Sequence, residues 1–356
     1  MSATKTVLVT GGAGFIGANF LNLFVPRSPA IRFVNVDALT YAANLASLAS
    51  IEDAKNYVFE HVDIGEESAV DEMFGRYEPD VVVHFAAESH VDRSIHGPRA
   101  FIRTNVQGTL NLLEAARGSR KAAELVFHHV STDEVYGSLG ETGLFTEETR
   151  YDPSSPYSAS KAASDHLVRS WARTFGLRVK ITNCSNNYGP LQFPEKLIPL
   201  TISNLMDRKP LPVYGRGANV RDWLYVDDHC EAIWRVIEKG RVGETYNVGG
   251  NNERRNLDVV KMICRVFADE AGASLAELEG LIQFVPDRPG HDQRYAIDGS
   301  KVRQECGWAP AETFETGLRK TVRWYLDNAE WVEGVRTGAY RDWLHANYGS
   351  RRQTKQ

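Results

Sequence analysis

The sequence predicts an α/β protein, with a doubly wound parallel sheet joined to a smaller mixed α/β domain. Three observations predict it. Short apolar segments alternate with helical patterns over the first half of the chain, a glycine-rich turn separates the first segment from the first helix, and an aspartate closes the second segment. Near-continuous apolar strands belong to parallel sheets covered by helices on both faces.

Residues 6–10 read as a buried strand, followed by glycines and a helical pattern through Phe15, Ile16, Phe20, Leu21 and Phe24. Residues 33–37 and 58–62 read as the second and third strands. A polar helix around 69–77 precedes the fourth strand, 81–85. A helix from about 100 to 117 leads to a strand at 125–131, and a helix at 157–175 leads to another at 177–183. After about Asn187 the repetition fades, because Pro190, Pro194, Pro199, Pro210 and Pro212 interrupt it. Strands at 223–226 and 244–248 are expected to return to the first domain. The expected division is therefore 1–187, with returning segments near 220–250, for the first domain. The second takes 188–219 and 251–349, and 350–356 forms a disordered tail.

The chain has 356 residues and is 42% hydrophobic, enough to bury a large core. A net charge of -5 gives no reason to expect nucleic acid or an acidic membrane as partner. Cys184, Cys230, Cys264 and Cys306 are far apart and read as reduced thiols. No His, Cys and Asp grouping has metal-ligand spacing. The N-terminus lacks a secretory pattern, and no apolar run approaches the ~20 residues that span a bilayer. The expected setting is cytoplasm.

Gly11, Gly14 and Gly17 have Gly-x-x-Gly-x-x-Gly spacing between the first strand and the first helix. Such glycines permit a tight turn and close approach of backbone to a pyrophosphate, which the helix N-terminus then favours. This is the Rossmann-like signature of dinucleotide binding. Asp37, at the end of the second strand, would accept hydrogen bonds from ribose hydroxyls. It would repel a 2′-phosphate, favouring NAD over NADP. Asp63-Ile64 follows the third strand; Asp63 either flanks the adenine or caps the next helix.

Ser131-Thr132-Asp133-Glu134-Val135-Tyr136-Gly137 and Tyr157-Ser158-Ala159-Ser160-Lys161 carry the chemistry. Tyr157 and Lys161, four apart, share one helix face. A tyrosine of pKa ~10 is a poor base near neutrality, and a nearby ammonium together with the positive nicotinamide ring would favour phenolate. Thr132 would bond the hydroxyl being oxidised, and Lys161 could also hold the nicotinamide ribose. A dehydrogenase needs only these three groups. The adjacent Asp133 and Glu134 suggest proton transfer at a second carbon, Glu134 as general base and Asp133 as general acid. Two close carboxylates cannot both ionise easily, so one pKa rises. Strand side chains alternate between faces, so both acids reach one substrate only where the chain leaves extended geometry, for which Gly137 makes a turn plausible.

Together with Ala86-Ala87-Glu88-Ser89-His90, residues 183–190, 194–200, Arg221-Asp222-Trp223, residues 287–292 and the end 324–349, these segments resemble the extended short-chain dehydrogenase/reductase family. Within it, Thr132-Asp133-Glu134 resembles the nucleotide-sugar 4,6-dehydratases. The resemblance implies NAD-dependent 4,6-dehydration of a nucleoside-diphosphate glucose, the dTDP sugar favoured. The steps are C4 oxidation, C5/C6 elimination and hydride return to C6. It implies that Phe15, Ile16, Thr40, Ile64, Ala87, Ser89, Thr104 and Asn187 lie against the cofactor. Ser89, Asn186, Lys196, Leu197, Pro212, Tyr214, Arg221, Asn256, Arg288 and His291 would lie against the substrate. Asn186 and Asn187 could equally satisfy loop backbone, and His90 reads as structural.

The family usually dimerises through two long helices, here those near 100–117 and 157–175. Phe101, Leu110, Leu113 and Leu167 would supply apolar contacts or pack on the sheet. Two competing functions use the same scaffold. One is a nucleotide-sugar epimerase or decarboxylase, or a UDP-glucose 4,6-dehydratase. The other is a non-catalytic NAD-sensing protein, against which the Thr132, Tyr157 and Lys161 set argues.

Overall fold

The computed structural model describes residues 5–287 and 290–337. Arg288, the span 338–349 of the expected second domain and the expected tail lie outside them. In chain order the first half contains β1 (Lys5–Thr10), α1 (Phe15–Arg27), β2 (Ile31–Asp37), β3 (Tyr57–His61), α2 (Glu67–Tyr77), β4 (Val81–His84), α3 (Val91–His96) and α4 (Pro98–Phe101). A π-helical segment (Ile102–Gly108) then leads into α5 (Thr109–Gly118) and β5 (Val126–Thr132). A 3₁₀ turn (Asp133–Tyr136), α6 (Pro156–Phe175) and β6 (Arg178–Cys184) complete the half. The second half contains β7 (Asn186–Tyr188), α7 (Leu197–Met206), β8 (Leu211–Tyr214), β9 (Val220–Tyr225), α8 (Val226–Lys239), β10 (Thr245–Val248) and β11 (Glu253–Arg255). Then come α9 (Asn256–Ala271), α10 (Leu275–Glu279), β12 (Ile282–Val285), α11 (Ser300–Cys306), α12 (Phe314–Asp327) and α13 (Ala329–Thr337).

Seven strands form one parallel sheet in the order β10-β6-β5-β4-β1-β2-β3. Both faces are covered, which is why the strands read as apolar runs. Val7 and Val9 of β1 pack on Phe20, Leu21 and Phe24 of α1 and Ile233 of α8. Leu8, between them, packs with Val34, Leu112 and Phe127 on the opposite face. The strand order reverses between β1 and β4, and the carboxyl ends of strands at such a reversal open a ligand crevice.

The two strands expected to return to this sheet part company. β10 takes the edge beside β6, whereas β9 pairs with β7 and β11 in a separate three-stranded sheet. A buried carboxylate holds β9 there: Asp222 accepts from Gly250 N at 2.8 Å and Asn252 N at 2.6 Å. Gly250 has no room for a side chain, because a Cβ would lie 1.9 Å from Trp223 O. The second core gathers Ile202, Ile263, Phe267, Phe314, Leu318, Val322 and Tyr325 between α7, α9 and α12.

The expected helix at 100–117 runs through α4 and α5 but is widened between them. Thr109 Oγ1 donates to Asn105 O at 2.6 Å. The Asn105 side chain turns inward, accepting from Glu88 N at 2.8 Å and donating to Glu88 O at 3.0 Å and Ser160 Oγ at 2.8 Å. Phe101 lies under Tyr157, and Leu113 is in the sheet core with Leu167 packed against it. These three therefore serve the chain's own interior. The α6 helix starts at a capping box between Ser155 and Ser158, with Pro156 in its first turn, and ends at Gly176 (φ 72°).

Candidate active site

A cavity of about 640 Å³ runs from the β1–α1 turn, across the carboxyl ends of β4, β5 and β6, to the face of α7, β8 and α9. Its lining includes every site residue expected from the sequence except Arg288, which lies outside the described residues.

At one end the glycine turn packs as close-approach backbone. Gly11 has φ +71°, and a Cβ there would sit 2.6 Å from Ala86 N; one on Gly17 would sit 2.3 Å from Gly11 O. The N-terminus of α1 has neither a side-chain cap nor an acidic first turn, so its amide groups face the cavity uncompensated. Asp37 receives Ala13 N at 2.9 Å and Leu39 N at 2.8 Å. Burial nonetheless pushes its carboxyl above the ordinary value, against those two bonds. Asp63 receives Gly65 N and meets Arg103 at 2.8 Å, while Glu66 occupies the N-cap of α2. Of its two readings, helix capping is thus excluded. These features fit a dinucleotide: an open helix N-terminus for pyrophosphate, and a carboxylate and an ion-paired rim at the strand ends.

The difficulty of alternating side chains is resolved by the backbone. The β5 strand ends at Thr132, and Asp133–Tyr136 form one 3₁₀ turn closed by Gly137 at φ +85°. Thr132 caps it, its Oγ1 accepting from Glu134 N at 3.3 Å and donating to Asp133 Oδ1 at 3.5 Å. Both acids consequently line the cavity beside Tyr157 and Lys161. Asp133 is 1% exposed, and its Oδ2 has no hydrogen-bond partner. Burial, then the charges of Glu134 and Asp222, hold its carboxyl well above the usual range, against Arg221. Glu134 is half-buried.

Tyr157 is also pushed upward, by burial first and then by Glu134, Cys184 and Asp133, with a hydrogen bond to Thr132 opposing. The expected lowering of this phenol is absent from the protein alone, because acids and a dry wall surround it. Lys161 donates to Val130 O at 2.8 Å, and burial lowers its pKa against Asp165 and Cys184.

At the far end, Lys196 donates to Ser89 O at 2.8 Å, joining the two halves across the cleft. Arg221 is buried, donating to Val220 O at 2.7 Å and Asp292 O at 2.8 Å, with its guanidinium 4.1 Å from the Tyr295 ring centre. His291 Nδ1 lies 2.6 Å from Asp287 Oδ1. Tyr214 donates to Asp92 at 3.2 Å. Asn187 donates to Ser185 O at 3.0 Å, yet its Oδ1, like those of Asn186 and Asn256, is buried without a partner. Buried polar atoms left without partners are costly, so these three carbonyl oxygens of cavity-lining residues are placed to receive a polar ligand.

Several cavity residues escaped the sequence reading. Glu195 accepts from Tyr41 at 3.0 Å and lies 3.5 Å from Arg93, whose guanidinium stacks 3.5 Å from the centre of the Tyr41 ring. This group bridges the loops after β2 and before α7 over the cavity mouth. His90, read from the sequence as structural, is so used: its Nδ1 accepts from Arg93 N at 3.4 Å as the cap of α3, and burial pulls its pKa down to about 4. Glu88, Cys184, Gln192 and Trp223 also face the cavity. Glu88 and Glu195 sit inside segments the family resemblance had marked, so position beside a marked residue was the available signal. Among the described residues, no group of three His, Cys, Asp or Glu side chains could hold a metal ion, and no helix is long and apolar enough to cross a membrane.

Comparison with known proteins bears on the same cavity. The family model described as GDP-mannose 4,6 dehydratase matches residues 8–321. The dTDP-glucose 4,6-dehydratase of Neisseria meningitidis is 57% identical over 347 residues, covering 95% of this chain and 98% of that protein. That of Xanthomonas campestris is 60% identical, covering 94% and 97%. Among solved structures, a dTDP-glucose 4,6-dehydratase from Streptomyces venezuelae with NAD and TYD bound superposes with TM-score 0.85 at 46% identity, covering 93% of this chain and 99% of that one. A UDP-glucose 4-epimerase from Thermus thermophilus, in complex with NAD, superposes with TM-score 0.80 at 29% identity, covering 91% and 99%.

Proposed function

The chain belongs to the GDP-mannose 4,6-dehydratase family, within the extended short-chain dehydrogenases/reductases, and from that premise we propose that it converts dTDP-glucose to the 4-keto-6-deoxy sugar and water with NAD as cofactor. The observation that carries the reading is the 3₁₀ turn that aims Asp133 and Glu134 into the cavity holding Tyr157 and Lys161. An epimerase has use for the tyrosine and lysine but not for two further acids.

The cofactor would lie along Gly11, Gly14, Phe15, Ile16, Gly17, Asp37, Thr40, Asp63, Ile64, Ala87, Ser89 and Thr104, with Asn187, Tyr157 and Lys161 at its reactive end. Bound there, NAD would supply reversible hydride storage, for oxidation at C4 of the sugar and later reduction at C6. Tyr157 takes the 4-hydroxyl proton while Thr132 bonds the same oxygen. The resulting 4-ketone acidifies the C5 proton, which Glu134 removes as general base. Asp133, kept protonated by burial and by Glu134, donates to the C6 hydroxyl, which leaves as water. Glu134 then returns its proton to C5. Tyr157 ends with one proton more and Asp133 with one fewer, so a proton passes from Tyr157 to Asp133 through solvent in the cavity before the next turnover, and overall the sugar loses one water.

Lys196 and Arg221 face the pyrophosphate, since ammonium and guanidinium donors suit phosphate oxygens. Asn186 and Asn256 offer their unpartnered oxygens to sugar and nucleotide hydroxyls. Leu197, Pro212, Tyr214 and His291 enclose the base. Within the described residues, 5–187 with α8 and β10 make the cofactor domain, and 188–219 with 251–287 and 290–337 the substrate domain. A cytoplasmic setting and a homodimer through the outer faces of α4, α5 and α6 complete the reading; Ile102 on that surface is 54% exposed.

C4-deuterated dTDP-glucose tests the whole scheme. Deuterium should appear at C6 of the product with no net reduction of cofactor. Label kept at C4 would rule out the route.

A further inference from the structure

The α6 helix carries more than its tyrosine and lysine. Tyr157, Lys161, Asp165 and Arg169 recur every four residues, so they stack along one face of the helix. The first three are buried and Arg169 is half-buried. Asp165 is 0% exposed. A lone ionised carboxylate in a dry interior is expensive unless it is paired and hydrogen-bonded.

Asp165 meets that requirement at one oxygen, since Oδ2 is hydrogen-bonded twice and Oδ1 has only an imidazole beside it. Its Oδ2 accepts from Ser131 Oγ at 2.9 Å and from Tyr151 OH at 2.8 Å, and His129 Nε2 lies 3.1 Å from Oδ1. Arg169 donates to Tyr151 OH at 2.6 Å and stacks on that ring, so the far cation is tied to the same anion through the phenol. Burial alone would raise the Asp165 carboxyl, but His129, Lys161 and Arg169 bring it below its ordinary range. Burial lowers His129 to about 4, against its contact with Asp165, and His84, 5.2 Å from it ring to ring, is lowered well below its usual value by burial.

We propose that Asp165 is a positioning residue, the buried counter-ion that keeps Lys161 an ammonium one helical turn from Tyr157. The inference rests on the roles given to Tyr157 and Lys161 above. From other elements Lys161 meets Val130 O of β5, Cys184 of β6, and the His84 and His129 imidazoles. Burial drives its pKa down, and the Asp165 charge is first among the influences that oppose this. Asp133 and Glu134, from the 3₁₀ turn, act on Tyr157. Without the Asp165 charge, Lys161 would become the only strongly basic group in a dry pocket with no anion beside it on its own helix, and would give up its proton more readily.

The test reads Lys161 directly. In the wild-type NAD-loaded enzyme the ζ-¹⁵N resonance of Lys161, assigned with Lys161→Met, should be that of an ammonium at neutral pH. A neutral amine there overturns the proposal even if no Asp165 variant folds. Asp165→Asn, equal in size but uncharged, should lower the titration of Lys161 by about one pH unit or more. The alkaline limb of kcat should move down with it while KM for dTDP-glucose stays put. Tyr151→Phe, which removes a hydrogen bond to the same carboxylate but leaves its charge, should leave that titration in place. An Asp165→Asn enzyme in which Lys161 titrates as in wild type would reduce Asp165 to a packing role. Failure of the wild type to turn over dTDP-glucose would instead sink the proposed function, which the NMR titration does not depend on.

Discussion

Asp133 and Glu134 are neighbours in sequence, but they occupy different environments. Asp133 is sealed in, with one oxygen left without a donor, and burial holds its carboxyl well above the usual range; Glu134 is half-buried at the cavity surface. Acid and base assignments follow from such a split, where environment rather than residue type sets the protonation state. Replacing Glu134 with Gln, or Asp133 with Asn, should therefore spare C4 oxidation more than water elimination. A fall in each step of about 10²–10⁴-fold is the usual size of a lost acid or base. Rapid-quench analysis of C4 oxidation against product formation measures the two separately. Loss of cofactor binding alone in both variants would remove the proton-transfer roles.

Two elements carry most of the positioning. The π-helical segment between α4 and α5 turns Asn105 inward, where it clamps the backbone of Glu88 and thus the loop over the cavity. π segments often mark functional sites, since the extra residue redirects a side chain. The 3₁₀ turn after β5 does the same for the two acids, and Gly137 ends it at φ 85° and ψ −147°. That region is open to glycine almost alone. A Cβ on Gly137 would also lie 2.4 Å from Asp152 O. Gly137→Ala should cost roughly 1–3 kcal/mol of stability. It should lower kcat while leaving NAD affinity near wild type, because the glycine turn after β1 is untouched. Denaturant titration and NAD binding by fluorescence check the two halves. Unchanged kcat in a folded variant would mean that the turn does not position the acids.

At the scale of the molecule, the site is maintained against the stability of the fold. A buried carboxyl whose folded pKa is raised destabilises the native state wherever the unfolded chain would ionise it. For Asp133 this penalty is absent below the unfolded value of about 3.8 and grows as pH rises above it, up to the folded pKa. Asp133→Asn should therefore be more stable than wild type near neutrality, by roughly 2–4 °C in Tm. The difference should close as pH falls toward the unfolded value. Thermal melts across pH, with wild type alongside, measure this; an advantage that instead widened in acid would contradict the assignment of a raised pKa. The sheet carries burial costs of its own, since His84 on β4 and His128 and His129 on β5 are buried with lowered pKa values. Its two apolar faces, built on Val7, Leu8 and Val9, are closed by α1 and α8 on one side and α5 on the other.

Local pattern was enough to read the parallel sheet, the glycine turn, Asp37 and the chemical types gathered near Tyr157. Each depends on periodicity or spacing within a few residues, and a short stretch of chain expresses such rules on its own. What tertiary structure decided were the features set by distant partners. β9 left the large sheet because Asp222 is anchored by Gly250 and Asn252. The helix near 100–117 widened because Asn105 found Glu88 and Ser160. The turn after Thr132 brought both acids onto one wall. Asp165 became a buried anion only when Ser131, His129 and Tyr151 converged on it. The physical reason is common to all but the turn: a buried polar group is stable only where its partners arrive, and those partners come from parts of the chain that folding alone brings together.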